Sequence, residues 1–426
     1  MAPGASSAVS STAARARESD SRSINGAGSA GPVYVSSVDL ALSPEQELIR
    51  STAREFVERE IVPHARDWDR EEEMERGIVA KLAEVGFLGA ALPEEFGGMG
   101  LDTVSYCLVT EELGRADSSV RGIVSVNVGL VGKTIARWGR EEQKREWLPR
   151  LSSGEALGCY ALTEPGAGSD PSSLATRAER DGDEWSISGS KIFITLGTWA
   201  TLALVFARTD DGITCLLVPT DADGFSAQPL KGKLGLRAQD TGELVLDGVR
   251  VPAENVLGAA GEGMKVALSA LDNGRISLAA GCVGIAQGCL DACLAYTKER
   301  RQFGRSIASF QLVQELLAEI AVETEAARLL TWRAAAHARV LDRQVLRERG
   351  RGARRERCRA DPRRLRLRGR IPGRQVLTRR EGDHAVRRHE SDPEADHRPT
   401  PHRRERLLVA SNNLLLEPAR AQLRRA

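Results

Sequence analysis

The sequence is poor in aromatic residues and has almost no excess charge of either sign. Phe, Trp and Tyr make up 4% of the 426 residues, and 60 Lys and Arg nearly balance 59 Asp and Glu, for a net charge of +1. This balance argues against a polybasic nucleic-acid binder and against a polyacidic protein. Apolar residues reach 41%, which is enough to build two or three packed domains in a chain of this length.

The chain also lacks the sequence signals of membrane, secreted and metal-binding proteins. No apolar run approaches the ~20 residues of a membrane helix, and residues 1–38 contain no apolar signal-peptide segment. The seven cysteines include no C-x-x-C pair, which favours reduced thiols over a disulfide framework or a zinc site. We therefore expect a cytoplasmic protein with no membrane partner and no metal. Residues 1–41 are predicted to be a disordered tail.

Hydrophobic periodicity divides the rest of the chain into a helical, a β and a second helical domain. Residues 42–155 have helical spacing and begin with Ser43-Pro44-Glu45-Gln46, which predicts a capped helix start. Residues 156–262 alternate with period two or form short apolar runs, which predicts a small barrel or sandwich. Residues 263–343 return to helical spacing. The order α, β, α predicts an α+β fold and argues against a Rossmann fold.

The composition changes again near the C-terminus. No lysine follows Lys298, no aromatic residue follows Trp332, and arginine dominates residues 344–426. Arginine-rich segments can bind nucleic-acid phosphates. This one has no aromatic residues for base stacking, and its acidic residues dilute the charge, so we expect no nucleic-acid partner. The C-terminal helical domain is therefore predicted to be truncated, with an Arg-rich tail after it.

Two glycine-containing segments could hold a ligand. Val128–Thr134 nearly matches a phosphate-binding loop, but Asn127 replaces its first glycine and it lies in a helical block. Tyr160-Ala-Leu-Thr-Glu-Pro-Gly-Ala-Gly-Ser-Asp170 has glycines that permit close backbone approach to a ligand, and short polar side chains beside them. Taken alone, this second segment is better interpreted as an ordinary turn.

The order of five motifs changes that interpretation. Tyr160–Asp170 is followed by Lys191-Ile-Phe-Ile-Thr195, Lys233–Leu244, Leu271-Asp-Asn-Gly-Arg275 and Glu299-Arg-Arg-Gln-Phe-Gly304 with Gln311. Together they resemble the acyl-CoA dehydrogenase family over residues 42–343. The resemblance implies a three-domain fold and an FAD-dependent oxidoreductase of fatty acid metabolism, which removes hydrogens from the α and β carbons of an acyl-CoA thioester.

The resemblance also implies which residues bind the cofactor and the substrate. Residues expected to line the flavin are Tyr160, Leu162, Thr163 and Ser169, with Phe193 and Thr195 against the ring. Residues expected to reach the FAD diphosphate of a neighbouring subunit are Arg300, Gln302, Phe303 and Gln311; a guanidinium can bond phosphate with two parallel hydrogen bonds. Residues expected to contact acyl-CoA are Ser169, Asp272 and Arg275. Leu196 stands where the family usually has Asn.

The family's partners are implied in the same way. They are an electron acceptor such as an electron-transfer flavoprotein and further copies of the chain, as a dimer or tetramer. An altered C-terminal domain would weaken that assembly.

The catalytic base of the family is missing. Most members use the Glu of a C-terminal Tyr-Glu-Gly-Thr, and neither that motif nor the upstream Gly-Gly-Tyr-Gly-Tyr occurs here. In some branches the base directly precedes the helix arginine, but here that residue is Gly274. We therefore assign no catalytic residue and expect dehydrogenation to be impaired, since a general base contributes roughly 10²–10⁴-fold.

A change of reading frame would explain the loss. Codons allowed for Arg374–Glu390, read one nucleotide later, can encode a segment that ends in Leu-Tyr-Glu-Gly-Thr. The glutamate codon would then span Arg387 and Arg388. Our hypothesis is that residues 344–426 are translated out of frame, and an uninterrupted gene without these codons would refute it.

Two alternatives for the function stay open. The chain could be an inactive family member kept as a flavin-binding or partner-binding fold, or a flavin-dependent oxidase of the same superfamily. Release of peroxide would identify an oxidase, and stable, colourless protein that associates with partners would identify the inactive fold.

Overall fold

The computed structural model describes residues 41–359, with side chains as far as residue 338. Its N-terminal part is helical, with α1 Pro44–Glu60, α2 Ala65–Glu71, α3 Gly77–Glu84, α4 Thr103–Ala116, α5 Ser118–Val124, α6 Lys133–Trp138 and α7 Glu141–Ser153. The predicted capping box of α1 is confirmed. Gln46 N donates to Ser43 Oγ at 3.2 Å, and Ser43 N donates to Gln46 Oε1 at 3.0 Å.

A π-helix, Ser125–Gly132, joins α5 to α6. Because this helix covers most of Val128–Thr134, the alternative of a phosphate-binding loop is wrong. The buried Asn127 connects the π-helix to the β domain, since its Nδ2 donates to Leu151 O at 3.0 Å and its Oδ1 accepts from Gly158 N at 3.0 Å. The N-terminal helices thus hold the start of the first strand in place.

The β domain consists of seven strands in one hydrogen-bonded sheet. They are β1 Gly158–Ala161, β2 Arg177–Asp181, β3 Glu184–Thr195, β4 Leu202–Thr209, β5 Gly212–Pro219, β6 Phe225–Pro229 and β7 Thr241–Pro252. The strand order is β1-β4-β2-β3-β7-β6, and β5 forms a hairpin with β4 across a turn at Asp210 and Asp211. β4 contributes six successive buried residues, because both of its faces are covered.

Two long helices form the C-terminal part. α8 runs Gly263–Glu299 and α9 runs Gln311–Arg359, past residue 343 where we had placed the end of the domain. A short hairpin of β8 Arg301–Gln302 and β9 Arg305–Ser306 lies between them. Side chains at Gly281 and Gly284 of α8 would clash with the N-terminal helices. These glycines allow α8 to pack closely against α4.

α8 is long and apolar enough to cross a membrane by length and composition alone. A core helix in a helical bundle meets the same criterion, and α8 packs against both α4 and α9. We therefore keep the expectation of no membrane partner as a prediction. The predicted fold class is confirmed: a helical domain, a β-sheet domain and a second helical region in an α+β chain.

Candidate functional site

The expected flavin loop, Tyr160–Ser169, leaves β1 and passes beside β3. Tyr160 Oη donates to Ala267 O of α8 at 3.1 Å, and the Tyr160 ring contacts Phe206 with ring centres 4.9 Å apart. Leu162 is buried, and Thr163 O accepts a hydrogen bond from Ile192 N at 2.9 Å. The loop is therefore fixed to the β domain on one side and to α8 on the other.

A buried ion pair holds this loop from inside. Lys191 of β3 is fully buried, and its three ammonium donors match three acceptors: Phe206 O at 2.6 Å, Glu164 Oε1 at 2.7 Å and Leu162 O at 3.2 Å. Glu164 also accepts from Ala175 N and Thr176 N at 2.6 and 3.0 Å. Burial lowers the pKa of Lys191 to about 8, while hydrogen bonds from Lys191 and Thr176 lower the pKa of Glu164 to about 2.

Neither residue of this pair has a role predicted from the sequence. Lys191 opens a motif that we quoted only for its resemblance, and Glu164 lies inside the loop. A lysine at the start of the apolar run Ile192–Ile194 was the available signal, because an uncompensated charge there would be costly. The pair is thus a structural element of the site, and it forms only because two segments that are distant in the sequence pack together.

The far part of the loop is open to a ligand. A Cβ built on Gly166 or Gly168 would have no atom within 4 Å, and Ser169 is exposed. The loop therefore leaves free space beside its backbone, as a cofactor cradle requires. This fits a bound FAD at the loop, which is where the resemblance places it.

The end of β3 carries two residues in an unusual backbone conformation. Phe193 has φ 60° and is 69% exposed, and Leu196 has φ 62° and is fully buried. A bulge between Lys191 and Ile194 turns Phe193 outward. Residues other than Gly, Asn and Asp rarely adopt a positive φ, and those that do are concentrated at functional sites. This conformation gives a physical reason for an Asn at position 196 in the family.

Thr195 and the loop after it are held by groups that the sequence analysis did not identify. Gln239 Nε2 donates to Thr195 Oγ1 at 3.1 Å. Asp240 accepts from Thr198 N at 2.9 Å and from Trp199 N at 3.1 Å. Both residues lie in the Lys233–Leu244 motif, to which we had assigned no role. The structure thus brings that motif against the expected flavin segment.

Two of the three residues expected to contact acyl-CoA, Asp272 and Arg275, lie on the exposed side of α8. Arg275 Nη1 bonds Asp272 Oδ1 at 2.7 Å, and both side chains are about 70% exposed (67% and 73%). Gly274, between them, faces the π-helix, where its Cβ would lie 2.7 Å from Leu130 Cδ2. Ser169 is separate from this pair, on the flavin loop.

The residues expected to reach a neighbouring subunit cluster at the junction of α8 and α9. Phe303 is 88% exposed with φ 52°, Gln311 is exposed, and Gln302 is half-buried. Arg300 Nε is buried with no hydrogen-bond partner among the described residues. A buried guanidinium nitrogen without an acceptor suits an anion from outside the chain, which leaves the prediction for Arg300 in place.

The buried carboxylates are possible proton acceptors. Among the described residues they are Glu111, Glu112, Asp117 and Glu164. Glu111 bonds Arg328 and Glu112 bonds Arg54, each at 2.8 Å. Asp117 caps α5 by accepting from Ser119 N at 2.5 Å, and burial raises its pKa to about 6. Each of these carboxylates is therefore engaged in holding the fold.

Comparison with known proteins agrees with this geometry. Family models match as the acyl-CoA dehydrogenase N-terminal domain over residues 43–155, the middle domain over 159–249 and the C-terminal domain over 261–349. The chain is 43% identical to a probable acyl-CoA dehydrogenase, YngJ, of Bacillus subtilis, over 70% of this chain and 80% of that protein.

Two solved structures show the same fold. A glutaryl-CoA dehydrogenase from Mycobacterium smegmatis in complex with FADH2 is 41% identical with a TM-score of 0.68, covering 69% of this chain and 76% of that one. A structure described as the electron transferring flavoprotein of Acidaminococcus fermentans is 41% identical with a TM-score of 0.69, covering 70% of this chain and 80% of that one.

Proposed function

The chain belongs to the acyl-CoA dehydrogenase family, and we propose that it binds FAD and an acyl-CoA thioester but dehydrogenates the thioester poorly. The observation that carries the proposal is the contrast between an open, well-held loop at Tyr160–Ser169 and the absence of any acidic side chain at Gly274. Family members are oxidoreductases that bind FAD, which takes up the hydride from the β-carbon of the substrate.

The residues of this chain divide the remaining tasks. The Lys191–Glu164 pair keeps the flavin loop in one conformation, and Phe193 and Thr195 are proposed to lie against the ring. Asp272 and Arg275 are proposed to contact the CoA part of the substrate. Proton removal from the α-carbon has no assigned residue, because the buried carboxylates of the described chain are all engaged.

The test uses the purified full-length chain. We expect FAD to bind and give a yellow protein, and we expect butyryl-CoA to bleach the flavin absorbance at least 100-fold more slowly than in an intact relative. Colourless protein after incubation with FAD would contradict cofactor binding. Rapid bleaching would contradict the impairment while leaving cofactor binding intact.

The partners follow from the same proposal. We propose that copies of this chain associate so that Arg300 reaches the FAD diphosphate of a neighbouring subunit, which the orphaned Nε of Arg300 supports. An electron-transfer flavoprotein is the proposed electron acceptor. A cytoplasmic location is also proposed. The six cysteines whose side chains the structure describes are free thiols, which is compatible with that location.

A second candidate substrate is an acyl-CoA that carries a terminal carboxylate. Arg121 of α5 is 6% exposed; its Nε donates to Ser118 Oγ at 2.9 Å and its Nη1 to Ser125 Oγ at 3.0 Å. Among the described residues it has no carboxylate partner, and burial lowers its pKa. A buried cation of this kind favours an anionic ligand, because an unpaired buried charge is costly.

The position of Arg121 supports this candidate. Its Cδ occupies the space where a side chain on Gly281 of α8 would lie, and the next residue, Gly122, touches Gln239 beside Thr195. Titrations of the flavin absorbance with glutaryl-CoA and butyryl-CoA test it. Arg121→Met should weaken glutaryl-CoA binding at least tenfold more than butyryl-CoA binding. Equal losses for both ligands would contradict the candidate.

A further inference from the structure

Gln239 connects three parts of the molecule at the expected flavin segment. Its side chain is 8% exposed, and its Nε2 donates to Thr195 Oγ1 at 3.1 Å. Its backbone is fixed, since Gln239 N donates to Leu236 O at 3.0 Å and Gln239 O accepts from Lys233 Nζ at 2.6 Å. The amide is therefore held by its own loop while it reaches across to the end of β3.

The N-terminal domain provides the space for this amide. Gly122 lies within α5, where glycine costs helix stability relative to alanine, and its φ is not positive. A Cβ at this position would clash with Gln239 Oε1. A glycine at position 122 is thus explained by the space that the Gln239 amide needs, because the backbone conformation there does not itself require glycine.

We propose that Gln239 is a positioning residue that orients the Thr195 hydroxyl toward the flavin. The missing side chain at Gly122 leaves the space that the Gln239 amide occupies. A hydroxyl has one donor and two acceptor lone pairs. When one lone pair accepts the Gln239 N–H, the hydroxyl hydrogen points away from Gln239 and can donate to an acceptor on the flavin ring. This inference rests on the proposed binding of FAD beside Thr195.

A double-mutant cycle between Gln239 and Thr195 tests the inference. FAD dissociation constants are measured by fluorescence quenching for the wild type, Gln239→Leu, Thr195→Val and the double variant. We expect about a tenfold weaker affinity in each single variant, as for one lost hydrogen bond, and less than a twofold further loss when Gln239→Leu is added to Thr195→Val. Losses that multiply would show that Gln239 acts on the fold and not through Thr195.

A second variant separates flavin positioning from stability. Gly122→Ala should displace the Gln239 side chain and weaken FAD binding about as much as Gln239→Leu, with the same shift of the flavin absorption band. The midpoint of thermal unfolding without FAD should stay equal or rise, because alanine favours the helix. Unchanged FAD affinity and absorption would overturn the inference. A wild-type chain that binds no FAD would instead refute the proposed function on which it rests.

Discussion

The β domain and the C-terminal helix pair differ in how completely they bury their side chains. In the β domain the charged Lys191 is fully buried with every donor matched, and Leu204 of β4 is fully buried. In the helix pair, Leu278 is 50% exposed and Leu316 is 59% exposed. Leu278 lines a groove of about 580 Å³ between α8 and α9, whose other lining residues are mostly apolar but include Arg275 and Glu323.

The difference supports the proposed function, in which cofactor binding and proton removal depend on different parts of the molecule. The part of the expected flavin site that this chain supplies, the flavin cradle, comprises the Tyr160–Ser169 loop, the end of β3 and Gln239, and it is held by contacts among residues 122–267. In the described part of the helix pair, apolar side chains such as Leu278 are half exposed, and Gly274 supplies no carboxylate. Under the proposed function, FAD binds while proton removal is impaired. The predictions below test that proposal and the difference in burial between the two regions.

The largest expected effect is the rescue of catalysis by a base at position 274. Gly274→Glu would place a carboxylate directly before Arg275, where some branches of the family carry it. Its Cβ would lie 2.7 Å from the flexible end of Leu130, so the substitution is combined with Leu130→Ala. We expect turnover of butyryl-CoA with an artificial electron acceptor to rise at least 100-fold.

The matched control for this rescue is Gly274→Gln with the same Leu130→Ala. Glutamine has nearly the same shape but cannot accept the proton, so its turnover should equal that of Leu130→Ala alone. If both variants are equally slow while FAD stays bound, the missing carboxylate does not limit the reaction. In that case the helix pair lacks more than a base.

The next prediction concerns the buried ion pair of the cradle. Lys191→Met leaves Glu164 buried without its cation and should lower the free energy of unfolding by about 3–5 kcal/mol. The corresponding loss of a cation in the helix pair, Arg275→Met, removes an exposed partner of Asp272. It should lower the free energy of unfolding by less than about 0.5 kcal/mol. Urea denaturation followed by circular dichroism measures both.

A double variant shows whether the pair or the lysine alone matters. Lys191→Met with Glu164→Gln removes both charges, so it should recover part of the loss. Equal stability of Lys191→Met and Arg275→Met would mean that the cradle does not depend on its buried pair. The buried ion pair of the β domain would then contribute no more to stability than the exposed ion pair of the helix pair.

The sequence predicted what depends on local chemistry and periodicity. The α, β, α order follows from the spacing of apolar residues, and the start of α1 follows from Ser43 and Gln46. Each of these signals lies within a few residues of the element that it predicts.

The contacts that build the site could not be predicted in the same way. Lys191 meets Glu164, and Gln239 meets Thr195 and Gly122, only because strands and helices far apart in sequence pack together. Leu196 was recognised as a departure from the family, but its left-handed backbone appears only in the structure, where Leu196 N donates to Asp240 O at 3.0 Å. Periodicity specifies which face is buried and not which partner lies there.

The same apolar substitution in both regions tests their burial directly. Leu204→Ala removes a fully buried side chain from β4 and should cost about 2–5 kcal/mol. Leu278→Ala removes a half-exposed one from the open groove and should change stability by less than about 0.5 kcal/mol. If Leu278→Ala proves as costly as Leu204→Ala by urea denaturation, something covers the groove in solution.

The smallest expected effect is the response of the cradle to acid. The pKa of Glu164 is lowered from 4.5 to about 2, so its contribution to stability is complete above pH 4.5 and is lost as the pH falls toward 2. Between pH 5 and pH 3 this loss amounts to about 2 kcal/mol. Asp117 acts in the opposite direction, because burial raises its pKa to about 6, and its destabilising effect fades as it protonates.

The measurement compares the unfolding free energies of the wild type and of the double variant Glu164→Gln with Lys191→Met. Because Asp117 is present in both proteins, its contribution cancels in the difference, which leaves the contribution of the pair. That difference should shrink by about 2 kcal/mol over this pH range. A difference that is constant from pH 5 to pH 3 would mean that Glu164 is not held as an anion. The buried ion pair would then stabilise the cradle no more than an exposed ion pair stabilises the helix pair.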